Sequence, residues 1–244
     1  MKQYTGNLNI SSLQEGVVLL VDKPLHWTSF DVVAKLRSVI KKSIKSRKYK
    51  VGHAGTLDPL ATGLLIVCTG RLTKSISTYQ DLEKEYTGII SLGATTPTFD
   101  LEMDFNARFP VDHITKEDLE TARLQLTGTI MQNVPIYSAV KVDGKRMYEL
   151  ARKGEEVRIK SREAQVHGFE LDDKQFPDLR FRISVSKGTY IRAIADDFGR
   201  LVNSGGYLSE LRRTQIGNFS VDDAWSLDSL VDAIRNLDQE NPQK

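Results

Sequence analysis

Apolar residues follow two distinct patterns along this chain. Residues 17–21 and 64–68 are unbroken apolar runs, short enough to read as strands buried on both faces. Residues 86–92 read as a further strand. Residues 179–186 (Leu179-Arg180-Phe181-Arg182-Ile183-Ser184-Val185-Ser186) instead alternate strictly, as an antiparallel strand with one buried face does. Helical spacing appears at Val32, Val33, Leu36, Val39 and Ile40, with Ser29 as the candidate cap. Thr115 and Asp118 resemble a capping box ahead of Leu119, Ala122 and Leu126. After a turn at Lys187-Gly188-Thr189, residues Ile191, Ile194, Ala195, Phe198, Leu201 and Val202 predict one apolar helical stripe. A short helix and a polar tail are expected from Trp225 onward. Strands and helices mix without a regular βαβ repeat, which predicts an α+β fold.

Composition narrows the class. At roughly 100–200 residues per domain, a chain of 244 residues is one large domain or two small ones. Internal repeats, low-complexity blocks and Pro/Gly/Ser linkers are absent from the sequence. Cys68 stands alone, so an internal disulfide framework is excluded and a reducing compartment expected. The apolar runs fall far short of the ~20 residues that span a bilayer. The opening MKQYTGNLNISS has no signal-peptide pattern. A soluble, cytoplasmic globular protein with no membrane association is expected.

The net charge of +2 is uninformative, but its distribution is not. Residues 1–50 carry ten Lys/Arg against Glu15, Asp22 and Asp31, a local +7 that leaves −5 for the rest. Six of those cations lie within residues 41–50, with no acid among them. Such a run reads either as a solvated loop or as a polyanion-binding one.

Candidate chemistry concentrates in Val51-Gly52-His53-Ala54-Gly55-Thr56-Leu57-Asp58-Pro59-Leu60-Ala61-Thr62-Gly63. Glycines around His53 permit a tight path. Asp58 before Pro59 suits the start of a helical turn. It could therefore be an N-cap and His53 an ordinary loop histidine. A carboxylate at a helix N-terminus also tends to stay ionised, as a nucleophile requires. Other chemistries lack their signatures. A phosphate loop is missing, since Gly52 and Gly55 are too close and no Lys-Ser/Thr pair follows. His26, His53, His113 and His167 have no metal-ligand spacing. Asp100, Glu102 and Asp104 could hold Mg²⁺ along one strand face, though an exposed acidic strand edge is the simpler reading. No paired Ser or Cys nucleophile is recognisable.

Residues 52–65, from Gly52-His53-Ala54-Gly55 through Leu57-Asp58-Pro59 to Leu64-Leu65, resemble the signature of the bacterial tRNA pseudouridine-55 synthases (TruB type). Val21-Asp22-Lys23-Pro24 and Lys84-Glu85-Tyr86 resemble further family motifs. So do Tyr137-Ser138-Ala139-Val140-Lys141, Tyr148 through Gly154, Ser186 through Arg192, and Leu211-Arg212-Arg213-Thr214, all in the family's order. The resemblance covers about residues 16–230. It implies a single catalytic domain of pseudouridine synthase fold within residues 1–244, a mixed, largely antiparallel sheet flanked by helices with a central RNA-binding cleft. It further implies an isomerase that converts a T-loop uridine of tRNA to pseudouridine, needing no cofactor, metal or obligatory protein partner. A monomer acting on the tRNA T-arm is expected. A catalytically idle RNA-binding or tRNA-folding protein on the same scaffold is the alternative. A guide-RNA-dependent synthase and a nucleotide-dependent phosphotransferase fit less well.

By motif position the resemblance assigns the catalytic aspartate to Asp58. His53 matches the histidine that fills the place of the extruded nucleotide, and Tyr86 the tyrosine on which the flipped uracil lies. Tyr190 and Leu211 match pocket residues, and Arg192 the arginine that pairs with the catalytic carboxylate. Lys23 is expected to support the site structurally. Taken singly, each has a plain structural reading; for Arg192 it is an i,i+4 pair with Asp196. The chain departs from the family pattern at His26, where glycine is usual, at Val134-Pro135 and at Thr96 through Asp100. A form lacking the C-terminal PUA domain that many relatives carry is expected, with the basic run at 41–50 as the expected substitute for some of its phosphate contacts.

Overall fold

The computed structural model describes residues 8–138, 141–142, 145–147 and 161–237. In chain order the N-terminal elements are α1 (Ile10–Glu15), β1 (Val18–Lys23), α2 (Ser29–Ser43), β2 (Val51–Ala54), β3 (Ala61–Thr69) and α3 (Ile76–Gln80). Next come β4 (Lys84–Leu92), β5 (Ala94–Thr95), β6 (Ala107–Arg108), α4 (Lys116–Gln125), β7 (Gly128–Asn133), β8 (Lys141–Val142) and β9 (Lys145–Arg146). The remainder are β10 (Ser161–Gln175), β11 (Asp178–Val185), α5 (Ile191–Leu201), β12 (Gly206–Ile216), β13 (Phe219–Ser220), β14 (Trp225–Ser226) and α6 (Leu227–Asn236). The described residues form two compact units, those within Met1–Tyr86 and Arg212–Lys244, and those within Thr87–Leu211.

In the first unit, β1 pairs antiparallel with β3 from Val18↔Cys68 to Lys23↔Gly63, and parallel with β14. The strand β2 pairs antiparallel with β3 along its other edge, from Val51↔Thr69 to Ala54↔Ile66, His53 facing Val67. Both faces of this sheet are covered. Leu19, Val21, Leu65 and Val67 pack with the apolar stripe of α2 and with Leu227, Leu230, Val231 and Ile234 of α6. Val18, Leu20, Leu64, Ile66 and Cys68 point the other way, towards Tyr79, Ile216 and Val221. Burial on both faces is why these two strands read as unbroken apolar runs. It also pushes the Cys68 thiol up to about 11, so the lone cysteine is an inert core residue.

The second unit contains the alternating strand. Leu179, Phe181, Ile183 and Val185 of β11 point inward while Arg180 and Arg182 face solvent. The order β4-β11-β10-β7 follows, with β11–β10 and β10–β7 antiparallel. Phe169, Phe181 and Phe198 meet edge-on at 6.3 and 6.1 Å between ring centres. Leu201 departs from its expected stripe and is 40% exposed, whereas Val202 is buried. At ~100° per residue, position 201 lies about 80° from the stripe's centre and position 202 almost on it.

The capping box Thr115–Asp118 forms as expected. On α2 the cap lies one residue earlier than Ser29. Thr28 has the extended backbone a cap needs, its hydroxyl accepts the Asp31 N–H at 3.0 Å, and the Asp31 carboxylate accepts the Thr28 N–H at 3.0 Å. Ser29 is already helical, which frees its hydroxyl for a tertiary contact described below. His26, in the preceding loop, holds φ 66°, a left-handed conformation that glycine adopts without strain.

Two outcomes follow for urea denaturation. Thr28→Ala should cost about 1 kcal/mol. His26→Gly should hold or raise stability, whereas His26→Val should lose about 1–2 kcal/mol.

Candidate active site

The segment from Gly52 to Gly63 is fixed along its whole length. Strand β2 delivers Gly52 and His53 against β3, and Gly55 turns the chain at φ 94°. Ser29 Oγ then clamps Leu57, accepting its N–H at 2.8 Å and donating to its carbonyl at 3.2 Å. The Pro59 carbonyl accepts the His26 N–H at 2.8 Å, and the Ala61 N–H closes a turn onto the Asp58 carbonyl at 3.1 Å. From Ala61 the chain enters β3 directly. The helix expected after Asp58-Pro59 therefore does not form: Pro59 sits in a turn between two strands, and Asp58 caps no helix. Asp58 is half-buried in this braced loop.

Two buried cations brace the neighbouring chain in the first unit. Arg213 donates Nε to the Leu64 carbonyl at 2.7 Å and Nη2 to the Gly55 carbonyl at 3.1 Å. A Cβ on Gly63, itself at φ 103°, would lie 2.3 Å from the Arg213 carbonyl oxygen, so only glycine allows this approach. Lys23 is fully buried at the end of β1 and donates to the carbonyls of Pro24 (3.0 Å) and Trp27 (2.7 Å). Burial lowers its ammonium to about 8, opposed chiefly by the negative charge of Asp58 and assisted by the positive charge of Arg213. His53 is also lowered, first by burial and then by Arg213, against the opposing effect of the Gly55 backbone. Arg212 grips Asp22 through both guanidinium nitrogens, at 3.0 and 2.7 Å. Tyr86 is buried at 8% exposure, between Glu85, which accepts from the Thr214 hydroxyl at 2.7 Å, and the second unit's first residue.

The second unit holds Tyr190, Arg192 and Leu211. Tyr190 caps α5, and a fully buried amide on β7 does the bonding: Gln132 accepts the Tyr190 N–H at 2.8 Å and donates to its carbonyl at 3.0 Å. The guanidinium of Arg162 lies 4.6 Å over the Tyr190 ring. Arg192 is 5% exposed and donates to the carbonyls of Thr98 (2.8 Å) and Tyr137 (3.1 Å), with Asp100 at 3.5 Å. Asp196 takes Arg200 as its i,i+4 partner at 2.7 Å. Asp100 is no exposed strand edge either: it is buried in a turn that Thr96 and Thr98 close by donating to its carbonyl, while Glu102 and Asp104 are exposed. An arginine beside it explains the burial of that carboxylate. Leu211 is half-buried on β12.

Sequence reasoning singles out Asp58, His53 and Lys23 but not the groups that brace them. Ser29 is taken for a cap, and Arg213 is only part of a motif. The one available signal is Arg212-Arg213 on a strand, where period 2 must turn one arginine away from solvent. Gln132 and Arg162 carry no sequence signal. The stretch Tyr148 through Gly154 lies outside the described residues.

The chain is similar to known proteins along most of its length. The family model for TruB family pseudouridylate synthase (N terminal domain) matches residues 41–191, and that for the tRNA pseudouridylate synthase B C-terminal domain matches residues 192–244. The chain is 51% identical to a tRNA pseudouridine synthase B of Flavobacterium johnsoniae over 211 residues, 86% of this chain and 92% of that protein. To the protein of the same name from Phocaeicola vulgatus it is 50% identical over 218 residues, 89% and 93% of the two chains. Among solved structures, a chain of a Cbf5-Nop10-Gar1 complex superposes with a TM-score of 0.70 at 27% identity. That match covers 99% of this chain, which spans 61% of the solved one. An α+β chain with the TruB motifs in order, this fold, and half its residues shared along nearly the whole of its relatives belongs to the TruB family of pseudouridylate synthases.

Proposed function

We propose that this protein is a tRNA pseudouridine synthase that converts one uridine of the T loop to its C-glycoside isomer, with Asp58 as the catalytic carboxylate. The observation that carries the reading is the placement of Asp58, the motif aspartate, on a loop braced by Ser29, His26 and Arg213, in a chain about half identical to tRNA pseudouridine synthases B. The reaction breaks the bond from C1′ to N1, turns the uracil, and joins C1′ to C5. The hydrogen leaves C5 as a proton and N1 gains one, so no redox partner is consumed. The carboxylate must keep its position while the base moves, which is what a loop held on both sides achieves.

The remaining residues serve base extrusion. Unstacking a nucleotide costs a few kcal/mol, and stacking on an aromatic ring returns about 1–3 kcal/mol. Tyr86 offers that ring to the flipped uracil, and Tyr190 and Leu211 are by motif position the further residues assigned to the base. His53 fills the vacated place in the RNA stack; burial and Arg213 favour its uncharged form, which enters a stack without a desolvation penalty. Lys23 ties the loop after β1 and adds positive potential near Asp58.

Release of tritium from C5-labelled uridine in a T-arm stem-loop tests the chemistry. Wild-type protein should release it, and Asp58→Asn should lower the rate by about three orders of magnitude or more with RNA affinity retained. Binding without release on both the stem-loop and full-length tRNA would leave an RNA-binding or tRNA-folding protein. Lys23 gives an independent check. Its folded value of about 8 lies below the ordinary 10.5, so between those limits the unfolded chain holds a proton that the folded one has released. Wild-type stability should therefore rise relative to Lys23→Met as pH increases from 8 to 10.5, and run parallel to it below pH 7. Urea midpoints across that range would show it.

A further inference from the structure

The basic run at residues 41–50 has no part in the site just described. Lys41 and Lys42 occupy the last turn of α2, where they oppose the negative end of the helix dipole. Lys45, Arg47, Lys48 and Lys50 lie beyond the helix and are exposed, and the dipole does not account for them. None of these four pairs with a described carboxylate. Cations this close repel within a Debye length of ~8 Å, so the cluster works against the fold unless something outside it supplies the counter-charge.

The backbone of the loop is ordered all the same. The Ser46 N–H donates to the Lys41 carbonyl at 3.0 Å and the Lys45 N–H to the Lys42 carbonyl at 3.2 Å. Together these bonds form the Schellman ending of a helix, whose left-handed position is normally glycine. Here that position is Lys45, at φ 50°. A long cationic side chain thus stands where glycine would be less strained. Ser46 Oγ donates to the Lys48 carbonyl at 2.9 Å, and the Lys50 carbonyl accepts the Gly70 N–H at 2.9 Å. The Tyr49 hydroxyl anchors the loop on Thr69 at 3.0 Å and on the Leu13 carbonyl. From Lys50 the chain passes straight into β2, whose four residues cover ~13 Å at ~3.3 Å each and carry His53.

We infer that residues 45–50 form a pre-ordered phosphate-gripping loop that holds the backbone of the RNA substrate while the adjoining β2 segment works on the base. The inference rests on the tRNA reading for its partner, and its chemistry is that of a phosphodiester backbone. Each phosphate neutralised releases counterions, so the loop should set the salt dependence of binding and leave the chemical step alone.

The test is filter binding of the full chain to a tRNA transcript across 50–300 mM KCl. Wild type would be compared with Lys45→Gln/Arg47→Gln/Lys48→Gln and with Lys45→Gly alone. The triple variant should raise Kd about tenfold or more at 100 mM salt and reduce the slope of log Kd against log salt by about 2–3, at ~0.9 per phosphate contact. Its rate of tritium release at saturating RNA should stay within twofold of wild type. Lys45→Gly should move stability and binding in opposite directions, raising the urea midpoint while reducing the slope by about 1. Neutralising Lys116 and Lys174, which pair with Asp173 and Asp172 in the second unit, should leave the slope unchanged. An unchanged slope in the triple variant would overturn the inference, as would weaker binding with the wild-type slope, which reports a contact other than phosphate. Failure of tritium release by wild type would instead overturn the synthase reading, and binding is measured separately.

Discussion

Arg213, exposed to only 1%, spends its donors on the carbonyls of Gly55 and Leu64, one on either side of Asp58 in the chain. A buried guanidinium costs several kcal/mol of desolvation unless its hydrogens find acceptors, and these two carbonyls are acceptors that only one path of the loop can offer. The segment between them is thereby cinched. Gly63 completes the closure, since any side chain there would collide with the Arg213 backbone. Ser29 reaching from α2 to Leu57 adds a second brace from another direction.

The same arginine sets the local electrostatics. Its charge disfavours protonation of both Lys23 and His53, while Asp58 pulls Lys23 the other way. The Asp58 loop keeps its path through bonds from Ser29 and Arg213, although Asp58-Pro59 starts no helix. Arg192 in the second unit follows similar logic, with carbonyls of Thr98 and Tyr137 and the buried Asp100 around it. Buried arginines here organise loops whose own sequences have no regular hydrogen-bonding pattern. The exposed cations of residues 45–50 are the opposite case, held in place by backbone bonds while their charges point outward without a described counterpart.

Strand and helix identity was legible wherever burial has a period. Two-sided burial produced the unbroken runs of β1 and β3, one-sided burial the alternation of β11, and the stripes of α2 and α5 sit at helical spacing. Errors came at element ends. Ser29 and Thr28 are equally good caps by composition, and only the backbone angles at Thr28 select it. Asp58-Pro59 carries a helix-start signal, but the ladder bonds of β2 and β3 leave room only for a turn. Leu201 fits the stripe by hydrophobicity and misses it by angle.

By itself the sequence determined the α+β class, the family and the identity of the motif residues, because periodic burial and ordered motifs are local properties of a linear chain. Tertiary structure alone decided what braces the Asp58 loop, that a buried Asp100 lies beside Arg192, that Gln132 and Arg162 support Tyr190, and that Lys45 holds a position suited to glycine. Those are contacts between residues far apart in the chain, or backbone angles imposed by them. A buried polar side chain looks the same in sequence whichever distant carbonyl it will meet.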